Sequence, residues 1–98
     1  MLFVIYALDK PGSGAIRAAN RDAHRKRLVE HDHKLKVVSA GPMLDAADAM
    51  IGSLIIVEAA SLGLVEAYLE GDPYQRAGLF ASVDVRPFRW SIGGPAAV

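Results

Sequence analysis

The segment Leu2–Leu8, LFVIYAL, constrains the fold most, because it is rich in β-branched and aromatic residues and apolar on both alternate faces. A strand with this pattern is covered on both sides. Leu54–Val57, LIIV, has the same character. We therefore expect a β-sheet whose two faces are both buried.

A long helix is predicted over Ser13 to His33, which contains no proline and few β-branched residues. Ser13 is the expected N-cap. The apolar stripe of this helix is thin, because it consists of Ile16, Ala23 and Leu28 with alanine fillers. We expect the helix to pack through this narrow stripe.

Three further segments have the composition of strands and are bounded by turn residues. They are Lys36–Ala40, which Gly41-Pro42 ends, then Ile51–Glu58, then Phe80–Trp90, in which Pro87 indicates an edge strand or a bulge. The LDAADAM segment between the first two is predicted to be a loop.

A second helix is expected to begin after Ser61 and to end at Gly71. Its apolar residues recur at helical spacing, at Leu62, Val65, Tyr68 and Leu69. Asp72-Pro73 then begins a short helical turn, since an acceptor side chain before a proline is a common helix start.

The order β-α-β-β-α-β predicts an α+β protein of the ferredoxin-like type, an antiparallel sheet with two helices on one face. The other face would be bare in a monomer, although its strands are apolar. We therefore expect a homodimer that buries this open sheet face. A domain of this size buries only about 60–65% of its unfolded surface, so association would add stability.

The chain has 98 residues, 52% of them hydrophobic, which suits one compact domain over 1–92 and a flexible tail over 93–98. Eleven basic and eleven acidic residues cancel, so no nucleic acid is expected as a partner. The absence of cysteine excludes thiolate chemistry and fits a reducing cytoplasm. The apolar N-terminal run is too short for a membrane span, so we predict a cytoplasmic protein without a membrane partner.

His24 and Asp72 are the candidate catalytic pair. A carboxylate bound to one imidazole nitrogen would fix the ring and leave the other nitrogen to move a substrate proton. Two plainer interpretations stay open: His24 as an ordinary surface residue, and Asp72 as a helix cap. A carboxylate has enough lone pairs to cap a helix and bind an imidazole together.

Arg17, Arg21 and Arg25 recur every four residues and could form a cationic stripe for a carboxylate or phenolate ligand, or a solvated surface. Arg17 is the preferred ligand-binding candidate and Arg25 the one assigned to solvent. Ser39-Ala40-Gly41-Pro42 either simply ends a strand or leaves room beside His24 for a small molecule.

No cofactor or metal is expected. The segment His31-Asp32-His33 lacks a third ligand, so a solvated helix end is the preferred interpretation. The chain carries no phosphate-binding loop, dinucleotide-binding glycine pattern or nucleophile elbow.

In order along the chain, five segments resemble the motifs of the YciI-like (YCII-related) family: FVIYALDKPGSGAIRAANRDAHRKRL, VVSAGPM, GSLIIVE, GDPYQRAGLF and VDVRPFRW. The resemblance implies a dimeric α+β barrel, similar in fold to muconolactone isomerase. It also implies a His-Asp active site at His24 and Asp72. One relative is a dehydrochlorinase of a chlorinated hydroxyhydroquinone, which implies proton transfer on a small hydroxylated ring.

Two functional hypotheses follow. The first is a lyase-like or isomerase-like enzyme in which His24 is the general acid/base, Asp72 orients it, and Arg17, Ser39, Gly41 and Tyr74 bind a hydroxylated or anionic substrate. The alternative is a non-catalytic metabolite-binding module, which the absence of a strong nucleophile or cofactor motif favours.

Overall fold

The computed structural model describes residues 1–30 and 34–94. In these parts of the chain strands and helices follow one another in the order β1 (Leu2–Asp9), α1 (Gly14–Leu28), β2 (Leu35–Leu44), β3 (Met50–Ala59), α2 (Leu62–Glu70), α3 (Pro73–Arg76) and β4 (Phe80–Phe88). This is the predicted order, and the helical turn predicted at Asp72-Pro73 is the short helix α3.

The four strands form one sheet in the order β2-β3-β1-β4, in which every neighbouring pair is antiparallel. The doubly apolar segments are therefore the central strands, since β1 and β3 pair with each other and each has a second neighbour. The prediction of an α+β fold with ferredoxin-like connectivity is confirmed.

The core lies between the sheet and the helices. Strands β1 and β3 turn alternate residues inward, where they pack with residues of α2; the buried cluster comprises Phe3, Ile5, Ile55, Val57, Ala59, Val65 and Leu69. Leu28 of α1 packs against the edge of this cluster. The helices thus cover one face of the sheet, and the alternate residues of β1 and β3 point to the other.

Strand β2 continues where the sequence predicted a stop. It runs through Gly41-Pro42 to Leu44, with Pro42 opposite Ser53 of β3. Proline is tolerated there because β2 is an edge strand, whose outer side needs no N–H for pairing. Pro87 likewise lies in the other edge strand, β4, as predicted.

Helix α1 begins as predicted, with Ser13 at the N-cap position, but the Ser13 hydroxyl donates to the Lys10 carbonyl and makes no cap bond. The helix ends at Leu28, before the predicted end. Of the predicted apolar stripe only Leu28 packs against the core, since Ile16 and Ala23 are exposed, and the buried residues of α1 are Arg17 and His24. The helix therefore docks mainly through polar side chains.

Helix α2 matches its prediction, with Ser61 accepting a hydrogen bond from the backbone N–H of Leu64 at 3.4 Å. In the described residues no helix is long and apolar enough to cross a membrane. The segment His31-Asp32-His33, which was predicted to be a solvated helix end, and residues 95–98 of the predicted tail lie outside the described residues.

Candidate active site

A cavity of about 230 Å³ lies between α1, α3 and the ends of β2 and β3. We call it the His24 cavity. It is lined by Arg17, Arg21, His24, Arg25 and Leu28 of α1, by Ala40, Gly41, Pro42, Met50, Ser53 and Ile55 of the sheet, and by Tyr74. The α1 residues recur at three- and four-residue spacing, so one face of the helix forms a wall of the cavity.

His24 and Asp72 are in direct contact. Nδ1 of His24 lies 2.9 Å from Oδ1 of Asp72, and the two side chains are only 8% and 2% exposed. Asp72 is also the N-cap of α3, because the same Oδ1 accepts the backbone N–H of Tyr74 at 2.9 Å. The helix cap and the imidazole contact, which the sequence left open and which one carboxylate can make together, are both present at Asp72.

This geometry assigns the tautomer of His24. An ionised carboxylate oxygen can only accept hydrogen bonds, so the proton of the contact belongs to Nδ1. In the neutral imidazole the lone pair is then on Nε2. Within residues 1–30 and 34–94, Nε2 makes no hydrogen bond, and the His24 ring lines the cavity. We infer that Nε2 is the nitrogen available to a ligand.

The second oxygen of Asp72, Oδ2, is buried and has no hydrogen-bond partner among the described residues. An incompletely compensated carboxylate in a buried position attracts a nearby positive charge strongly. The imidazole of His24 is in contact with this carboxylate, 2.9 Å from its other oxygen, Oδ1.

Tyr74 holds the His24 ring from the side. The two rings stack with centroids 4.0 Å apart, and the guanidinium carbon of Arg17 lies 4.6 Å from the Tyr74 centroid. Arg17 and His24 are two helical turns apart on α1, so the Tyr74 ring lies between them. Burial raises the pKa of Tyr74, and the charges of Arg17 and Arg21 partly offset this rise. Tyr74 is therefore a neutral, rigid wall at neutral pH.

Arg17 is held in place by polar contacts. Its Nε and Nη2 donate to the two carboxylate oxygens of Asp9 at 2.7 and 2.9 Å, and Nη2 also donates to Ser53 Oγ at 2.9 Å. Burial alone would lower the pKa of Arg17, but the hydrogen bond and charge of Asp9 outweigh it and raise the pKa. This bidentate pair fixes the guanidinium against Tyr74.

The structure brings together five of the six residues predicted for the site. His24, Arg17, Gly41 and Tyr74 line the His24 cavity, and Asp72 contacts His24. Ser39 does not reach this cavity: it pairs with Ile56 after a bulge in β2 and lines a separate depression with Leu54 and Ile56 on the other face of the sheet. The role of each residue remains a prediction.

Sequence reasoning missed two residues, Asp9 and Ser53, which anchor Arg17. Both had a signal. Asp9 is the carboxylate that ends the otherwise apolar β1, and Ser53 is a hydroxyl at an inward-facing position of an otherwise apolar β3. A polar residue at a buried strand position requires a partner, and a helix arginine was available.

Among the described residues, no group of three or more histidine, aspartate or glutamate side chains is placed to bind a metal ion. The polar side chains that line the His24 cavity are an imidazole, a phenol, a hydroxyl and three guanidinium groups.

Comparisons with known proteins place these residues in a family context. The family described as the YCII-related domain matches residues 1–89. Protein YciI of Escherichia coli O6:H1 is 39% identical over 95 residues, covering 91% of this chain and 97% of that protein. A protein of Haemophilus influenzae is 32% identical with the same coverage.

Among solved structures, the chain is similar to 5-chloro-2-hydroxyhydroquinone dehydrochlorinase from Burkholderia phenoliruptrix AC1100, in complex with 2,5-dihydroxybenzoquinone. The TM-score is 0.80 at 40% identity, and the similarity covers 95% of this chain and 96% of that one. A structural neighbour of this family is thus a small-molecule enzyme.

Proposed function

The chain belongs to the YCII-related domain family, and we propose that it is an enzyme of lyase or isomerase type that uses His24 and Asp72 for general acid/base chemistry on small hydroxylated rings. The observation that carries this proposal is the buried contact of 2.9 Å between His24 Nδ1 and Asp72 Oδ1. This contact leaves Nε2 for a ligand in the His24 cavity.

The cavity supports a substrate of one ring. An apolar cavity of about 150 Å³ is known to bind benzene, so about 230 Å³ leaves room for a substituted ring. The apolar part of the cavity wall comprises Leu28, Pro42 and Ile55, and the imidazole and guanidinium groups lie along α1. The ligand of the dehydrochlorinase, 2,5-dihydroxybenzoquinone, is a ring of this size class.

The proposed step begins when His24 Nε2 removes the proton of a ring hydroxyl. The O–H bond breaks, an Nε2–H bond forms, and the electron pair stays on the ring oxygen. In a lyase reaction this pair forms a carbonyl as the imidazolium returns the proton to the ring carbon that carries the leaving group. Loss of a second hydroxyl proton to His24 then expels the leaving group with its bonding electrons and leaves a quinone. In an isomerase reaction the imidazolium returns the proton to a ring carbon. Asp72 stabilises the imidazolium in both cases.

The test measures turnover of chlorinated hydroxyhydroquinones, which is monitored through the release of chloride and the absorbance of the ring. His24→Gln should lower kcat about 10²–10⁴-fold, because a positioned general base contributes that much. Asp72→Asn keeps an oxygen for the Tyr74 N–H but removes the charge, so it should lower kcat and leave KM nearly unchanged. Asp22→Asn, on the exposed side of α1, is the matched control and should behave as wild type.

A His24→Gln protein that folds and retains full activity would remove His24 from the proposed chemistry. An Asp22→Asn protein that loses as much activity as Asp72→Asn would show that helix charge, and not the pair, is being measured. Melting curves of all variants separate these results from loss of folding.

A metabolite-binding module is the second candidate, favoured by the arginine-rich wall of the His24 cavity. Such a module would be stabilised against heat by ring ligands without converting them. His24→Gln and Asp72→Asn would then bind as wild type does.

We also propose that the chain forms a homodimer through the sheet face opposite the helices. Tyr6 and Leu54 lie opposite each other on this face and are 43% and 39% exposed. Their burial against a second copy would stabilise the pair by about 25 cal/mol per Å² of apolar surface. Leu54→Lys should shift the sedimentation velocity from dimer to monomer, and a wild-type protein that sediments as a monomer would contradict the proposal.

A further inference from the structure

Arg21 and Arg25 differ from the other charged side chains of the His24 cavity. Both line it, and among the described residues neither makes an ion pair or a hydrogen bond. They are one turn apart on α1, a spacing at which like charges repel and destabilise the helix.

Arg17, the third arginine of the cavity, is different because the Asp9 carboxylate neutralises it at hydrogen-bond distance. The negative charge of Asp72 is directed at His24. With a neutral imidazole these six groups carry one net positive charge: Asp9, Arg17, Arg21, His24, Arg25 and Asp72. With an imidazolium they carry two.

We propose that Arg21 and Arg25 form an oxyanion receptor, and that the substrates are one-ring compounds that already carry one negative charge when they bind. The charge is an ionised hydroxyl or a carboxylate on the ring. The inference rests on the proposed function in one respect: the substrate has lost one proton before it binds, and His24 removes a further hydroxyl proton. It adds the charge state of the substrate and the two residues that select it.

The charge balance explains the arrangement. A ring monoanion neutralises the single positive charge of the resting cavity. Transfer of a proton to His24 then creates a second negative charge on the ring and a positive imidazolium together, so the cavity and its ligand stay balanced. A neutral ring would leave the arginine charges uncompensated before the proton moves.

Position on the helix supports the same conclusion. His24 follows Arg21 by three residues and directly precedes Arg25, so an anionic group bound by the arginines lies beside the imidazole. The charge of Arg21 already reaches into the cavity, because it lowers the pKa of Tyr74 against the effect of burial. The exposed arginines can also capture an anion from solution.

The test is calorimetric binding of two ligands that differ by one carboxylate, hydroquinone and 2,5-dihydroxybenzoate. Wild type should bind 2,5-dihydroxybenzoate about 10-fold or more tightly than hydroquinone. Arg21→Gln and Arg25→Gln should each weaken 2,5-dihydroxybenzoate about 10-fold, the scale of a charge-assisted hydrogen bond. Neither should change hydroquinone binding more than about 2-fold.

Lys26→Gln is the matched control, since Lys26 is an exposed cation of α1 that does not line the cavity. It should leave both affinities unchanged. Equal affinity of wild type for the two ligands would overturn the proposal. So would a Lys26→Gln effect as large as that of Arg25→Gln, because the effect would then come from the general charge of the helix.

Binding in the His24→Gln background separates this inference from the proposed function. In one outcome, the arginine variants lose the preference for 2,5-dihydroxybenzoate both with His24 present and with His24→Gln, while no protein, wild type included, turns over a ring substrate. The receptor then stands and the enzyme proposal fails. If His24→Gln abolishes turnover but the arginine variants bind 2,5-dihydroxybenzoate as wild type does, the enzyme proposal stands and the receptor fails.

Discussion

Helices α1 and α2 cover the same face of the sheet but bury different kinds of side chain. The buried residues of α2 are Val65, Tyr68 and Leu69, whereas those of α1 are Arg17 and His24. One helix is therefore held by apolar packing and the other by ion pairs, hydrogen bonds and stacked rings. The face of α1 that buries few apolar side chains is the face that supplies the polar groups of the His24 cavity.

The difference has an energetic basis. Burial of α2 removes apolar area from water and needs no specific partner. Burial of Arg17 and His24 costs solvation and is favourable only because Asp9, Ser53 and Asp72 meet them at hydrogen-bond distance. The docking of α1 should thus be sensitive to the loss of a single hydrogen-bonding group, and the docking of α2 to the loss of apolar side-chain volume.

Loss of the Arg17 anchor should have the largest effect on stability. Arg17→Met leaves the Asp9 carboxylate buried without its partner, and we expect the free energy of unfolding to fall by about 3–5 kcal/mol. Urea unfolding measures it. The double variant Arg17→Met with Asp9→Leu should be more stable than Arg17→Met alone, since the stranded charge is gone. A double variant that is less stable would show that packing, not charge, holds this end of α1.

Leu69→Ala tests the apolar side of the comparison. Leu69 is part of the buried core cluster. Removing its side chain should lower the free energy of unfolding by about 2–5 kcal/mol through lost burial and a residual cavity. Ligand affinity at the His24 cavity should not change. A Leu69→Ala protein that unfolds normally but no longer binds ligands would contradict the division between the two helices.

Tyr68 gives α2 a pH dependence of its own. Burial raises the pKa of Tyr68 to about 12, above the value of about 10 in an unfolded chain. The stabilisation is therefore complete below pH 10 and is lost as the pH rises towards 12. Tyr68→Phe should flatten the fall in stability over this pH range. Parallel pH profiles for the two proteins would contradict this expectation.

The smallest effect is expected at the start of α2. Ser61 accepts the N–H of Leu64 at 3.4 Å, which is a long hydrogen bond. Ser61→Ala should therefore cost about 0.5–1 kcal/mol, the lower part of the range for N-caps. Ser61→Asp keeps an acceptor and should restore stability in the same thermal unfolding measurement. An Ala variant as stable as wild type would mean that the cap contributes nothing.

The strand order and α2 could be predicted because their signals are local. Doubly apolar segments identified the central strands β1 and β3, and helical spacing of apolar residues identified α2. Gly41-Pro42 led to a wrong prediction of where β2 ends, because this pair of residues occurs in edge strands as well as in turns. Whether a strand lies at the edge of the sheet is decided by its pairing with other strands, which one segment does not show.

The face of α1 could not be predicted from periodicity alone. Its buried residues are polar, so a search for an apolar stripe selects the wrong side of the helix. The contact between His24 and Asp72 joins residues 48 positions apart. It was predicted from the chemistry of the two residues and from the resemblance to a family, and not from a local sequence pattern. The bulge after Val37 turned Ser39 to the other sheet face, which no residue pattern indicated.

The central claim is that Asp72 holds the Nδ1 proton of His24 and leaves a lone pair on Nε2. The direct measurement is the pair of ¹⁵N imidazole resonances of His24 at a pH where the ring is neutral, assigned with His24→Gln. The account predicts a protonated Nδ1 and an unprotonated Nε2. A protonated Nε2 with an unprotonated Nδ1 would contradict it, because the nitrogen facing the ligand would then have no free pair with which to accept a proton.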